Sequence, residues 1–353
     1  MKRLGNWIVR WHDGRQTPRV KILFNCSLPF LLAHGGQATQ IKQTMVALQE
    51  LGVAVEPMRW WDEDQKGDLI HYFGRMPGDQ IRFAHQKGIK VIIAELLTGA
   101  GSQTNTQRLA RRIFRWGAEN FAPRTFAAAF QWEPYHLADG FTVLTSWEKY
   151  LMEYKFDADS RRVYVIPNGV ETVFFESAPT VRGPWLVCTA TITERKKVLE
   201  LAQAAIAGET PVWIIGKAYA ESDPYAQKFF KVARDNPKFI RYEGPINDRV
   251  ELAKIYRAAR GFVLLSTMES LSLSALEAAA CECPLLLSDL PWAHSSFATG
   301  VEFCSVTDSI TQSAAALKKF YLAAPQLASP PKPATWMDVA LQFKSVYEET
   351  LSR

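Results

Sequence analysis

Short apolar runs alternate with amphipathic stretches from residue 20 to the end of the chain. The runs fall at 20–26, 53–58, 69–73, 90–96, 141–145 and 163–166, and a second set at 185–190, 211–215, 239–242, 262–265, 284–287 and 301–305. Several, such as Val91-Ile92-Ile93-Ala94 and Phe262-Val263-Leu264-Leu265, show no polar alternation. A strand covered on both faces has no solvent side to keep polar, so such runs predict parallel strands in buried sheets. Helical stripes lie between them. Ala38, Ile41, Met45 and Leu48 share one face, and Leu252, Ile255, Tyr256 and Ala259 share another behind an expected Asn247 cap. Strand–helix alternation implies an α/β protein, and this many strands predicts two doubly wound parallel sheets.

Pro167-Asn168-Gly169 is a turn signal, and 177–184 is rich in Pro, Gly, Ser and Thr. A domain seam is therefore expected across 167–183. A second break at 323–333 carries four prolines and precedes a final helix from about 336.

A length of 353 residues suits two domains, and 48% hydrophobic with 22% charged residues excludes a disordered chain. No run approaches the ~18 apolar residues of a membrane span. Basic residues at the start have no apolar segment behind them, so no secretory signal is expected. Five cysteines cannot all pair, and Cys281-Glu282-Cys283 is too tight for a zinc knuckle. Cys26 and Cys188 sit in apolar runs and are expected to be buried thiols, which suits a reduced cytosolic location. The net charge of +5 is uneven: 1–19 and 103–130 each carry a net +4, leaving −3 for the rest. That layout disfavours a general nucleic-acid binder.

Candidate chemistry gathers at predicted strand ends. Glu269 and Glu277 bracket a strand-to-helix passage. Glu269 would sit at a strand's carboxyl end, where open α/β sheets bind ligands, and the helix start behind it offers N–H groups to an anion. Read from spacing alone, Ser274-x-x-Glu277 is equally a capping box and Glu269 a solvated loop residue. Arg195-Lys196-Lys197 follows another strand, where cations neutralise phosphate; a solvated first helical turn is the alternative. Gly35-Gly36 before a helix permits close backbone approach of a ligand, or makes a simple turn, with His34 beside it. Asp62-Glu63-Asp64 and Asp157-Ala158-Asp159 match a metal-diphosphate pattern but follow no buried strand and are read as surface loops. His71 is an acceptor-side base or, more simply, a satisfied buried histidine. Leu109, Ile113 and Trp116, flanked by Arg108, Arg111, Arg112 and Arg115, make a basic amphipathic helix. It fits a membrane surface or anionic acceptor, or a core-packed helix with a solvated basic face. Phe114, Phe121, Phe126 and Phe130 add apolar bulk to that segment.

Taken in order, these segments resemble the GT-B glycosyltransferases of family 4, retaining enzymes that use nucleotide-sugars. Gly35-Gly36 precedes an amphipathic helix. The stretch 138–146 resembles the family's "aspartate, strand, serine" segment, and Val165-Ile166-Pro167-Asn168-Gly169-Val170-Glu171 is close to its interdomain signature. The stretch 189–197 resembles the variant with an Arg-Lys pair; Ile214-Ile215-Gly216 and Tyr242-Glu243-Gly244 follow. Residues 266–280 match the E-x7-E motif. The resemblance covers nearly the whole chain. It implies a GT-B fold of two Rossmann-like domains facing a cleft: 1–170 on the acceptor side, 171–335 binding the donor, and a helix at 336–353 crossing back to the first domain.

The resemblance also implies roles. Glu269 would hydrogen-bond the donor sugar and Glu277 the ribose, while Arg195 and Lys196 would bind and stabilise the departing diphosphate without a metal or cofactor. Backbone at Ser270, Leu271, Ser272 and Leu273, with Gly35, Gly36 and Gly216, would complete the donor pocket. The donor would be a UDP- or GDP-hexose, and the acceptor a glycan, a lipid-linked or another group in surface polysaccharide or glycolipid assembly. Residues 103–130 would meet the inner membrane face. Some family features are absent. Ala190-Thr191 replaces a common Gly-Arg pair, and the stretch around Glu95 and Thr98 lacks a common histidine. Serines at 270 and 272 replace glycines. A catalytically inactive nucleotide-sugar-binding protein is the rival reading. A nicotinamide-dependent dehydrogenase would need a G-x-G-x-x-G turn that neither domain's first strand supplies.

Overall fold

The computed structural model describes residues 20–27, 35–101, 105–121, 132–176 and 181–353. Two six-stranded sheets, each wholly parallel, organise the described chain. The first holds β1 (Lys21–Cys26), β2 (Ala54–Pro57), β3 (Leu69–Phe73), β4 (Lys90–Ala94), β5 (Gly140–Val143) and β6 (Val163–Val165), in the order β2-β1-β3-β4-β5-β6. The second holds β7 (Leu186–Thr189), β8 (Val212–Ile215), β9 (Ile240–Tyr242), β10 (Gly261–Leu264), β11 (Leu285–Ser288) and β12 (Val301–Cys304), in the order β12-β11-β10-β7-β8-β9. Each predicted apolar run is a strand. The central strands β3, β5, β10 and β11 are buried at every position, which is why they lack alternation.

Strand order reverses between β1 and β3 in the first sheet and between β7 and β10 in the second. Loops leaving the carboxyl ends of these pairs diverge to opposite faces and open a crevice. This places the residues after β7 and β10, 190–197 and 265–272, side by side.

The halves are joined by the stretch 166–171 and by the last helix. A Cβ on Gly169 would lie 2.6 Å from the backbone N and Cα of Trp336, so only glycine fits that crossing. Val170 N donates to Ala334 O at 3.0 Å. Thr335 and Asp338 then form a reciprocal capping box that starts the helix Trp336–Ser352. Its Trp336, Val339, Phe343 and Tyr347 pack with Ile22, Ile41 and Leu48 of the first half, so the chain's end returns to the first sheet.

Some local expectations change. The cap of the helix Arg249–Ala258 is Asp248, not Asn247; its carboxylate accepts from Val250 N at 2.8 Å and Glu251 N at 3.2 Å. Cys188 is buried but Cys26, at the end of β1, is only half-buried. All five cysteines are free thiols. The basic segment 1–19, His34, Arg124, Phe126, Phe130 and part of the expected seam (177–180) lie outside the described residues. Among the described residues no helix is long and apolar enough to cross a membrane.

Candidate active site

The loop after β7 and the loop after β10 are stitched together at the second sheet's crossover. Thr267 N donates to Arg195 O at 2.8 Å, and Arg195 Nη1 returns a bond to Met268 O at 2.8 Å. Arg195 and Lys196 occupy a single 3-10 turn that ends at Lys197, whose φ of 50° is left-handed and swings the chain into the helix Val198–Ala207. Glu269 Oε1 accepts from Arg195 Nη1 at 3.1 Å and pairs with Lys196 Nζ. The Glu269 and Lys196 side chains are 10% and 12% exposed and Arg195 41%, so one cation is enclosed and the other reaches solvent. The alternative of a solvated Glu269 is therefore overturned, while the basic turn keeps Arg195 in solvent and encloses Lys196. Two positive charges and one carboxylate share the crossover point, the place where this class of sheet holds ligands.

Glu277 lies two turns further on, in the helix Leu273–Ala280. That helix is capped by Ser272, whose hydroxyl accepts from Ala275 N at 3.4 Å, so the Ser274-x-x-Glu277 capping box is not formed. Glu277 instead points into the protein. Its Oε1 accepts from Arg249 Nη2 at 2.5 Å and its Oε2 from Tyr256 OH at 3.4 Å. Burial pushes its carboxyl above the usual range, while Arg249 pulls the other way. Arg249 also forks onto Glu171, Nε to Oε1 at 3.0 Å and Nη2 to Oε2 at 2.6 Å, with its guanidinium 4.7 Å from the Phe174 ring centre.

Across the cleft, Gly35 caps the helix Gly36–Glu50 at φ 137°, a backbone state that favours glycine. A Cβ on Gly36 would sit 3.6 Å from Leu273 Cδ1, so the two helix starts face each other. Ser270 Oγ lies 2.6 Å from Thr98 Oγ1 of the first half, and Leu271 O accepts from Asn168 Nδ2 at 3.4 Å. The structure thus brings Gly35, Gly36, Ser270, Leu271, Ser272 and Leu273 to one cleft. Gly216 serves a different end: at φ 149°, a Cβ there would stand 1.9 Å from Ala190 O, so glycine is required where the loops after β7 and β8 touch. Thr193 Oγ1, Ser266 Oγ and Asn168 Oδ1 are buried without a protein hydrogen-bond partner, polar atoms of a kind that ligand hydroxyls satisfy.

Glu95 and Thr98, the polar residues in the stretch that lacks the histidine, diverge. Glu95 is taken up by Arg75, at 2.6 Å from Nη2, and by Tyr135 OH at 2.6 Å. Thr98 is the one that reaches the other half. His71 is fully buried between Tyr347 OH (2.7 Å from Nδ1) and Thr142 Oγ1 (3.4 Å from Nε2), with burial holding its pKa near 3. It is a core histidine, not a base. Asp62 pairs with Arg59 at 2.7 Å, Asp157 with Arg115 and Asp159 with Arg161 at 2.8 Å, so both Asp-x-Asp matches are ion-paired loops.

Sequence reasoning missed Arg249 and Glu148. Arg249 carries a signal that was available: a cation in a helix's first turn opposes the macrodipole. Glu148 is buried, accepts from Leu97 N at 3.0 Å and Leu144 N at 2.9 Å, and is also hydrogen-bonded by Ser270. Burial raises its pKa against those bonds.

Residues 183–322, which carry the second sheet, match the family model described as Glycosyl transferases group 1. No curated protein matches the chain. Solved structures match along nearly all of it. Sucrose-phosphate synthase from Thermosynechococcus elongatus is 15% identical at a TM-score of 0.64, covering 94% of this chain and 99% of that one. A glycosyltransferase from Rickettsia africae is 12% identical at 0.63, covering 95% and 99%. Anabaena HepE in complex with UDP is 11% identical at 0.61, covering 94% and 100%. At such identities the likeness is one of fold: two facing parallel-sheet domains, GT-B.

Proposed function

We propose that the chain is a retaining glycosyltransferase of family 4 that moves a hexose from a UDP- or GDP-sugar to a glycan, lipid-linked or other acceptor hydroxyl in surface polysaccharide or glycolipid assembly. The observation that carries this reading is the cluster of Arg195, Lys196 and Glu269 at the second sheet's crossover, inside the segment that matches the glycosyltransferase family. The domains would divide at 170/171 and at 335/336.

The chemistry follows from charge. When a nucleoside diphosphate departs, negative charge grows on the oxygen it leaves with. Fixed cations aimed there lower the barrier because they need no reorganisation. At about 4 Å and an effective dielectric of about 20, each unit pair contributes roughly 4 kcal/mol of attraction. Lys196, enclosed, does most of this; Arg195 forks onto the outer phosphate. As the diphosphate draws the two cations toward it, Glu269 keeps oxygens with which to accept from hydroxyls of the donor sugar. Glu277, oriented by Arg249 and Tyr256, accepts from the ribose. First-turn N–H groups at 270–273, opposite Gly35 and Gly36, hold the phosphate and sugar between the two helix starts. Retention follows from the family likeness, as does metal independence. The protein would act in the cytoplasm, peripheral at the inner membrane face.

The test is transfer and hydrolysis of UDP- and GDP-hexoses across an acceptor panel, with and without chelator, reading the anomer formed. Retained configuration and chelator-insensitive turnover are expected. Inverted product would remove the retaining assignment. Tight donor binding with no turnover would favour a nucleotide-sugar-binding protein that has lost catalysis, a reading supported by the occupation of Glu95 by Arg75 and Tyr135.

A further inference from the structure

The first half sets two clusters of large apolar side chains in solvent, and their causes differ. The helix Asn105–Phe121 leaves Leu109, Ile113 and Trp116 52%, 59% and 59% exposed, so its stripe is not core-packed. Its own arginines impose that rotation. Arg108 lies 4.7 Å from the Trp147 ring centre and Arg112 4.4 Å from that of Tyr154, and buried Arg115 pairs with Asp157. The second cluster is Trp60 and Trp61, 86% and 67% exposed, and no packing elsewhere drives it outward. The pair occupies the centre of a tight turn just after β2. Asp62 N donates to Arg59 O at 3.1 Å, and Arg59 grips Asp62 Oδ2 from Nε at 2.9 Å and Nη2 at 2.7 Å. Gln65 closes the loop from within: its Oε1 accepts from Arg59 N at 2.7 Å, and its Nε2 donates to Pro57 O at 3.0 Å and Glu56 Oε1 at 2.7 Å. Met58 N donates to Phe24 O at 2.8 Å and ties the loop to β1. Turn centres ordinarily carry Gly, Pro, Asn, Asp or Ser. Two indoles fixed there by a hydrogen-bonded frame forgo the burial that stabilises an aromatic side chain. Their ring centres are 5.6 Å apart at 88°, so together they line a corner.

We infer that Trp60 and Trp61 form a stacking subsite for an uncharged sugar ring, and that the acceptor is an oligosaccharide whose outer rings rest there. The acceptor half of that statement rests on the transfer reading. Area and charge select the occupant. Two indoles offer about 300–400 Å², whereas a stable protein partner needs about 800 Å² from each side. Over 59–66, Arg59 and Lys66 stand against Asp62, Glu63 and Asp64, a net −1. That balance gives an anionic lipid surface or a polyanion no counter-charge, and Asp62 is already taken by Arg59, so a cation gains little. An uncharged ligand with an apolar face and a hydroxylated rim fits. A pyranose has both: the C–H bonds of one face lie against the negative face of an indole, and its hydroxyls donate to the exposed carboxylates of Glu63 and Asp64. Position supplies the link to the cleft. In a parallel sheet all carboxyl ends share one side, and β1 separates β2 from β3. Neighbouring strands are about 5 Å apart, so the loop after β2 leaves the sheet about 10 Å from β3. The crevice lies between β1 and β3. A ring reacting there and a ring on the tryptophans are a few units apart along one saccharide chain.

The experiment is titration of the whole chain with neutral tetrasaccharides of glucose, mannose and N-acetylglucosamine, read by indole fluorescence and calorimetry. Tetramethylammonium, phosphatidylcholine vesicles and UDP are titrated beside them. One tetrasaccharide is expected to bind, with blue-shifted emission and more tightly than its monosaccharide. Trp60→Ala and Trp61→Ala should each weaken that binding about tenfold, and Trp60→Phe, which keeps a ring face, less than about threefold. All three variants should keep the wild-type Tm, because the rings are exposed. No saccharide binding, or binding that the alanines leave unchanged, overturns the subsite. So does tighter capture of tetramethylammonium or vesicles than of any saccharide, or a dimer that the alanines convert to monomer. A wild type that binds a saccharide through the tryptophans but never responds to UDP keeps the subsite and removes the transfer reading. A response to UDP without saccharide binding does the reverse.

Discussion

The two sheets are equal in size and both wholly parallel, yet their carboxyl ends carry opposite chemistry. The second sheet presents Arg195, Lys196 and Glu269 at its crossover, with Glu277 held by Arg249 just behind. The first presents a glycine-started helix, one threonine hydroxyl and an acid, Glu95, already consumed by Arg75 and Tyr135. Under the proposed function, the second half binds a doubly charged leaving group and needs fixed cations, whereas the first admits a neutral hydroxyl acceptor and needs shape and backbone.

The sharpest way to break this contrast is Lys196→Ala. Removing an enclosed donor aimed at developing charge costs about 100-fold in kcat, about 2.7 kcal/mol. Steady-state kinetics with the donor identified by screening checks it, and an unchanged kcat would make the two sheets equivalent.

Next comes Arg249→Met, which leaves the buried Glu277 without its cation. Breaking a fully buried pair costs 3–5 kcal/mol, but Arg249 is about a third exposed, so about 2 kcal/mol is expected, split between stability and nucleotide affinity. The pH dependence has a definite sign. Glu277's folded pKa is already raised above its unfolded value, so its burial destabilises the fold as pH rises through the folded pKa. Without Arg249 that pKa climbs further. The thermal deficit of the variant relative to wild type should therefore shrink as pH falls from neutral toward 5. A deficit that grows on acidification would mean Glu277 is not the group exposed.

Gly169→Ala tests the junction between the halves. A Cβ 2.6 Å from the Trp336 backbone forces 166–171 away from 334–336 and should cost about 1.5 kcal/mol, read as a lower Tm. Thr98→Val should have the smallest effect. It removes one hydroxyl bond across the cleft worth about 1 kcal/mol, leaves Ser270 its bond to Glu148, and should lower turnover about fivefold with nucleotide affinity unchanged.

The same contrast explains what could be read from the chain itself. Twelve apolar runs announced twelve strands, and several lack alternation because a doubly covered strand has no polar face to show. Glu269 and the Arg195-Lys196 pair stood out because charge directly after a buried strand is conspicuous. Thr98 and Ser270 were each noticed, but their contact was not, since two neutral hydroxyls 172 residues apart leave no periodicity and meet only through the fold. Arg249 escaped because its partners, Glu171 and Glu277, are distant in sequence, although its place in a helix's first turn was a usable sign. The helix 105–121 shows the limit of periodicity. The spacing of Leu109, Ile113 and Trp116 gives a stripe, but which way it faces depends on Trp147, Tyr154 and Asp157, which no local pattern reveals.

The central claim, that the second sheet's crossover is the nucleotide diphosphate site, is tested most directly by titrating UDP and GDP into wild type, Lys196→Ala and Glu277→Ala and measuring affinity. One nucleotide should bind the wild type and raise its folding stability by about 2.7 kcal/mol at 100 times its Kd, and each substitution should weaken that binding at least tenfold. Equal affinity in all three proteins, or no binding of either nucleotide to the wild type, would contradict the account.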